Sequence, residues 1–182
     1  MKNTTLFVLC LSACFVSVHA QNKYSPEKGY RGTIEVGYDA GLDNSDHTRV
    51  EFLTTHGLQL NNSFFFGAGT GLQVWENSDD FTIPLFLDAE ALLPVSPISP
   101  YLSVRLGYVF NAKEDHFFPK NGLYFNPSIG VRWPIDQRKA VRLSVGYLLQ
   151  TSDVIYLKEA HPGEFKDRIN MQTISTKVSF EF

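Results

Sequence analysis

The chain has 182 residues, a formal net charge of -3 and 14% aromatic residues. A mildly acidic balance gives no electrostatic case for nucleic acid as a partner. The two cysteines, Cys10 and Cys14, both lie in the first fourteen residues. A framework of disulfides or a thiolate metal site in the remainder is therefore excluded.

The N-terminus reads as a secretory signal peptide, 1-20. Lys2 gives a basic start, Leu6 to Val18 is mostly apolar, and Val18-His19-Ala20 has the small-x-small form of a cleavage site. The apolar run is too short to cross a bilayer as a helix. Leu11-Ser12-Ala13-Cys14 also matches a lipobox, which would place a lipid on Cys14, but the apolar Phe15 and Val16 would then stay on the mature chain. Residues 21-29 read as a lead-in and 30-182 as one domain.

From Tyr30 onward the dominant pattern is a period of two, the signature of strands with one apolar face. Strand one sets Tyr30, Gly32, Ile34, Val36 and Tyr38 against Arg31, Thr33, Glu35 and Gly37. Strand two, near 48-59, sets Val50, Phe52 and Thr54 against Arg49, Glu51 and Thr55. Strand three, near 63-75, sets Phe64, Phe66, Ala68, Leu72 and Val74 against three glycines and Gln73. Strand four, near 80-93, sets Phe81, Ile83, Leu85, Leu87, Ala89 and Ala91 against Thr82, Asp88 and Glu90.

The second half continues the pattern. Leu102, Val104, Leu106, Tyr108 and Phe110 oppose Ser103, Arg105 and Gly107. Phe125, Ile129, Val131 and Trp133 oppose Tyr124, Asn126, Ser128, Gly130 and Arg132. Val141, Leu143, Val145, Tyr147 and Leu149 oppose Arg142, Ser144, Gly146 and Gln150. The last strand sets Ile174, Thr176, Val178, Phe180 and Phe182 against Thr173, Ser175, Lys177, Ser179 and Glu181. The expected fold class is all-β: an eight-stranded antiparallel up-and-down transmembrane β-barrel. The connections support it. Those at 59-62, 94-99 and 134-139 are short, and those at 39-47, 76-80, 111-121 and 151-168 are mostly longer and more polar. Short turns on the periplasmic side and longer loops outside is the outer-membrane plan.

The apolar face is nearly free of charge, as a lipid-facing surface must be. A soluble lipocalin-like barrel would instead carry its charges outside and keep an apolar cavity. The polar face holds Arg31, Glu35, Arg49, Glu51, Asp88, Glu90, Arg105, Arg132, Arg142, Lys177 and Glu181, six basic and five acidic. Near-balance implies a salt-bridged, mostly closed lumen. Counting from strand ends pairs Glu35 with Lys177, Arg31 with Glu181, and Arg105 with Asp88 and Glu90. Tyr30, Phe64, Trp133 and Phe180 fall at one set of strand ends and Tyr38, Phe81, Tyr108, Phe110 and Tyr147 at the other, the placement of an aromatic girdle.

With strand count, loop asymmetry, polar lumen and the tail Thr176-Lys177-Val178-Ser179-Phe180-Glu181-Phe182 in view, the chain resembles the small eight-stranded outer-membrane proteins of the OmpA/OmpX type. That resemblance implies residence in the bacterial outer membrane with both termini periplasmic, and contact with its lipid and lipopolysaccharide. It also implies an assembly signal, Phe182, Phe180 and Val178, read by the barrel assembly machinery. A non-enzymatic structural or adhesive role through the loops, with no cofactor or metal, is the expected function.

An alternative is a lipid A-modifying acyltransferase or deacylase using His47, Ser78 and Asp79. Neither His116 nor His161 has the following Ser that a deacylase His-x-Ser pair needs. A weaker alternative is passage of a small solute beside Pro84 or Pro127, which cannot donate a ladder hydrogen bond. Asp39, Asp43, Asn44 and Asp46 fit no calcium-loop spacing and read as solvated loop residues.

Overall fold

The computed structural model describes residues 26-42, 48-76, 81-94, 98-111, 122-157 and 164-182; at 111, 152-157 and 164-169 it describes the backbone only. The segment read as a signal peptide lies outside the described residues. Eight strands follow one another: β1 Gly29–Gly41, β2 Arg49–Gln59, β3 Phe64–Trp75, β4 Phe81–Leu92, β5 Ser99–Asn111, β6 Gly122–Pro134, β7 Ala140–Leu157 and β8 Glu164–Glu181. Each pairs antiparallel with the next, and β8 pairs with β1 to close the barrel. Closure leaves no sheet edge within the barrel wall, which is what a sheet needs when no water is available to its backbone.

The register fixes the shape. From Gly29 the cross-strand partners run Gln59, Phe65, Glu90, Ser103, Ser128, Gly146, Ser175 and back to Asp39 on β1. One circuit thus advances ten residues along β1. Ten residues at about 3.3 Å against eight strands about 4.8 Å apart tilt the strands by about 40°. The twelve residues of β3 then rise about 30 Å, enough for an apolar band about 25 Å tall.

Alternation decides which residues face out. In β4, Phe81, Ile83, Leu85, Leu87 and Ala89 are exposed while Thr82, Pro84, Phe86, Asp88 and Glu90 are buried. β5, β7 and β8 repeat the arrangement, so the outer wall is Leu, Ile, Val and Phe while most charges are buried inside. A polar interior under an apolar skin is the inverse of a water-soluble domain.

Two expectations about loops are corrected. The span 151-168 is mostly ribbon, because β7 and β8 stay paired from Ala140↔Glu181 to Leu157↔Glu164. Thr151, Val154, Ile155 and Tyr156 on one strand and Phe165 and Ile169 on the other are strong strand formers, and a started ladder extends through them. Asp39 belongs to β1 and not to a loop; it is fully buried and faces the interior. It is in phase with Arg31 and Glu35, and Arg49 on β2 binds it.

A closed barrel of this kind keeps its wall in SDS until heated. Unheated and boiled samples are expected to migrate differently on a gel; identical migration would contradict closure.

Candidate functional site: the charged lumen and its mouths

The turn end of the barrel is the one that carries the short turns and the start of β1; the loop end is opposite. Inside, the ten-residue shear stacks the charges in tiers. Nearest the turn end, Glu90 pairs with Arg31 at 3.0 Å and with Arg142. Glu181 binds Arg132 at 2.7 Å and lies 3.9 Å from both Arg31 and Arg142. Above them Arg105 bridges Glu35 at 2.6 Å and Asp88 at 3.0 Å. Ser103 donates to the other Asp88 oxygen at 2.8 Å.

Higher still, the Lys177 ammonium lies 3.3 Å from Glu51 and donates to Asn126 at 2.7 Å. Gln73 donates to Glu51, and Thr82 donates to Gln73 at 2.8 Å. At the loop end Arg49 donates through Nε to Asp39 at 2.9 Å. All these charged groups are at least nine-tenths buried.

Asp39 is the group that sequence reasoning missed. With it, the lumen holds Arg31, Arg49, Arg105, Arg132, Arg142 and Lys177 against Glu35, Asp39, Glu51, Asp88, Glu90 and Glu181, six of each sign among the described residues. In a narrow space of low dielectric this neutrality is what makes the burial tolerable, since an unpaired buried ion costs several kcal/mol. The signal was available: Asp39 continues the inward row of odd-numbered residues on β1.

The pairing expected between Glu35 and Lys177 is corrected. The ladder sets Glu35 against Ser179 and Lys177 against Gly37, so the two are two residues apart in height. Arg31 does reach Glu181, but Glu90 is the nearer partner. Of the two acids bracketing Arg105, Asp88 binds it and Glu90 turns to Arg31 and Arg142.

Sequence reasoning also missed four inward aromatic rings. Phe65, Trp75, Phe86 and Tyr101 lie in phase with the charges, and each covers a guanidinium. Arg31 sits 3.7 Å from the Phe65 ring centre, Arg142 4.1 Å from Tyr101, Arg49 4.7 Å from Trp75 and Arg105 5.1 Å from Phe86. Such contacts stabilise a desolvated cation. Inward glycines make room for the rings. A Cβ on Gly69 would lie 2.4 Å from the Phe86 ring, and one on Gly130 2.5 Å from that of Tyr101.

On the outer wall, Tyr30, Phe64, Trp133, Phe180 and Phe182 are exposed near the turn end, and Tyr38, Phe81, Tyr108 and Phe110 near the loop end. Tyr147 is half-buried and donates to Gln172 at 2.6 Å. Phe182 closes the seam, exchanging backbone hydrogen bonds of 2.8 and 2.9 Å with Gly32. Its ring meets His56 edge-on at 6.4 Å. His56 itself faces outward. Thr54 donates its hydroxyl to the Thr33 carbonyl, so it accepts from His56 Nε2, and Tyr30 donates to Nδ1 at 2.6 Å.

The prolines interrupt two ladders. Pairing of β3 with β4 skips Gly71 and Leu72, opposite Pro84 and Ile83; that of β6 with β7 skips Asn126 and Pro127. Each proline lacks the N–H that its partner carbonyl would accept. At Pro127 the Asn126 side-chain amide donates to Tyr147 O at 3.1 Å instead. His47, Ser78 and Asp79, proposed as catalytic, lie outside the described residues, as do Asp43, Asn44 and Asp46.

No family model matches the chain, and no curated protein matches it. Solved structures do. The outer membrane protein OprG from Pseudomonas aeruginosa aligns with a TM-score of 0.62 at 8% identity, over 88% of this chain and 99% of that one. Neisserial surface protein A aligns at 0.57 with 13% identity, over 85% and 95%. The N-terminal β-barrel domain of P. aeruginosa OprF aligns at 0.53 with 14% identity, over 86% and 100%. At these identities the likeness is one of fold: the chain shares the closed eight-stranded barrel of small outer-membrane proteins.

The tiers predict a measurable asymmetry. Arg105→Ala leaves Glu35 and Asp88 buried without their common cation, and is expected to cost about 3–5 kcal/mol in stability. Arg138→Ala on the exposed β6–β7 turn should leave stability nearly unchanged, because an exposed, solvent-screened pair contributes little. Urea unfolding of the barrel in lipid vesicles measures both.

Proposed function

We propose that the protein is a non-enzymatic barrel of the bacterial outer membrane, with its termini periplasmic, that displays the β7–β8 ribbon at the cell surface. The ribbon carries the reading. Both strands are 18 residues long where β1 to β6 have 11 to 13. The five to seven additional residues, at about 3.3 Å each and the same tilt, lift it about 15 Å above its neighbours. Ladder pairing of β7 with β6 ends at Gln150, with Leu123 N–H still donating to the Thr151 hydroxyl at 3.1 Å, and that of β8 with β1 ends at Thr173, so β7 and β8 continue upward paired mainly with each other. A wall strand needs about 9–11 residues to cross a bilayer. The excess therefore serves the outside, where projecting segments on a rigid scaffold carry recognition.

The lumen supports a structural scaffold over a channel. Its charges neutralise one another in tiers and its aromatic rings fill the remaining section, which an eight-stranded barrel leaves narrow. The outward aromatic rings suit the two lipid interfaces, with lipopolysaccharide around the loop end. The C-terminal Phe182, Phe180 and Val178 suit recognition by the assembly machinery.

Three measurements test this. Planar-bilayer recordings are expected to show no large, stable single-channel steps. Trypsin added to intact cells is expected to cut within the ribbon, which offers Lys166 and Arg168, and to leave the membrane-embedded wall. Lipid A from cells with and without the gene is expected to carry the same acyl chains. Stable conductance, protection of the ribbon in intact cells or an altered acyl pattern would each overturn the corresponding part of the reading.

A further inference from the structure

The segment before β1 is tied to a distant part of the barrel. Glu27 N–H donates to the Gln137 carbonyl at 3.3 Å, and the Glu27 carboxylate accepts from Arg138 Nε at 2.5 Å. Gln137 and Arg138 belong to the turn between β6 and β7. That turn does not adjoin β1: β8 stands next to β1, and β7 next to β8. Residues 26-28 therefore pass the end of β8 to reach it. Pro26 is buried on the way.

Two local features make this path. Gly29 has φ 127°, in the left-handed region that favours glycine, and turns the chain away from the line of β1. The receiving turn is braced by its own hydrogen bonds. The Asp136 carboxylate accepts from the backbone N–H of Arg138 and of Lys139, at 2.7 Å each, and Ile135 N–H donates to the Lys139 carbonyl at 2.8 Å. The two N–H bonds to Asp136 hold its carboxyl below the ordinary range.

The inward residues at the mouth beneath are covered. Leu92 ends β4, Ser99 begins β5 and Ala140 begins β7; all three are last or first inward residues at the turn end. An open mouth would leave them in water, yet they are 2%, 2% and 0% exposed. We propose that Pro26, Glu27 and Lys28 form a strap across the turn-end mouth of the lumen, hinged at Gly29 and clasped by Glu27 and Arg138, which controls access of small water-soluble molecules to the charged interior from that side.

The clasp suits a strap that opens. The Arg138 and Glu27 side chains are 78% and 47% exposed, so their attraction is weak and screened by salt. The charged tier of Arg31, Glu90, Arg132, Arg142 and Glu181 lies directly inside. Opening the strap exposes that tier and leaves the wall intact. This goes beyond the surface role proposed above and does not depend on the ribbon.

The test is the reactivity of one thiol. The strands contain no cysteine, so Ser99→Cys places a single small reporter in the wall, just inside the mouth. Its rate of reaction with a charged, water-soluble maleimide is measured in detergent micelles. With the strap intact the reaction is expected to be slow. Adding Arg138→Ala, or raising the salt to molar levels, should speed it about two- to fivefold. Glu27→Arg with Arg138→Glu should restore the slow rate.

Gly29→Val gives an independent handle. A Cβ there meets nothing within 4 Å, so only the left-handed backbone angle is lost. It should speed the reaction further. Equal rates in all these variants at low and high salt, with heat-modifiable mobility retained, would overturn the strap. Loss of that mobility in the parent would indict the barrel instead.

Discussion

Everything in this molecule depends on the inversion of its wall: apolar side chains point out, and charge is forced into a narrow closed interior. Once the sheet closes through Gly32 and Phe182, an inward charge has nowhere to go except to another inward charge. The ion pairs are therefore a condition of closure more than a source of stability. A buried pair in isolation gains little over a well-packed apolar one, because desolvation offsets the attraction. Losing one member is another matter, since the survivor cannot reach water. The equal count of six cations and six carboxylates is the global form of that constraint, and the tiers are its local form.

Shear converts the global constraint into particular partners. Adjacent strands are level along their hydrogen bonds, but those bonds climb around the barrel, and a circuit gains ten residues. Residues at equal distance from their strand ends are thus not at equal height. Glu35 finds Arg105, four strands away across the lumen, and leaves Lys177 on the neighbouring strand to Glu51. Contacts across the interior matter more than contacts along the wall. This is also why Arg105 bridges two acids: its guanidinium reaches the wall on one side through Asp88 and the far side through Glu35.

The same distinction explains what could be read in the sequence. Alternation is a property of each strand alone, so the outward rows of β4, β5, β7 and β8 were legible residue by residue. Pairing depends on register and shear, which no single strand encodes, so the partners of Glu35 and Lys177 were not. Phe65 was hidden for a different reason. It stands in the run Phe64-Phe65-Phe66, where a period of two has no contrast. Phe86, between Leu85 and Leu87, was masked in the same way. Asp39 is hidden for another reason: an acidic cluster before a long connection reads as loop. A catalytic group of His47, Ser78 and Asp79 requires two connections to meet, and strand periodicity carries no information about that.

The hidden aromatics also show why the lumen is not simply polar. A guanidinium has five N–H groups in one plane and two faces that accept no hydrogen bond. Carboxylates satisfy its edge; only a ring or another flat surface covers its face without leaving a void. Arg31, Arg49, Arg105 and Arg142 are covered in this way, by Phe65, Trp75, Phe86 and Tyr101 respectively. Rings of that size need room beside them on the wall, and the cross-strand partners of Phe86 and Tyr101, Gly69 and Gly130, lack a side chain. Charge, ring and glycine are then three parts of one packing unit. An inward glycine reads as weakness in a strand taken alone. Here it is the space that lets an arginine be buried between its acid and a ring.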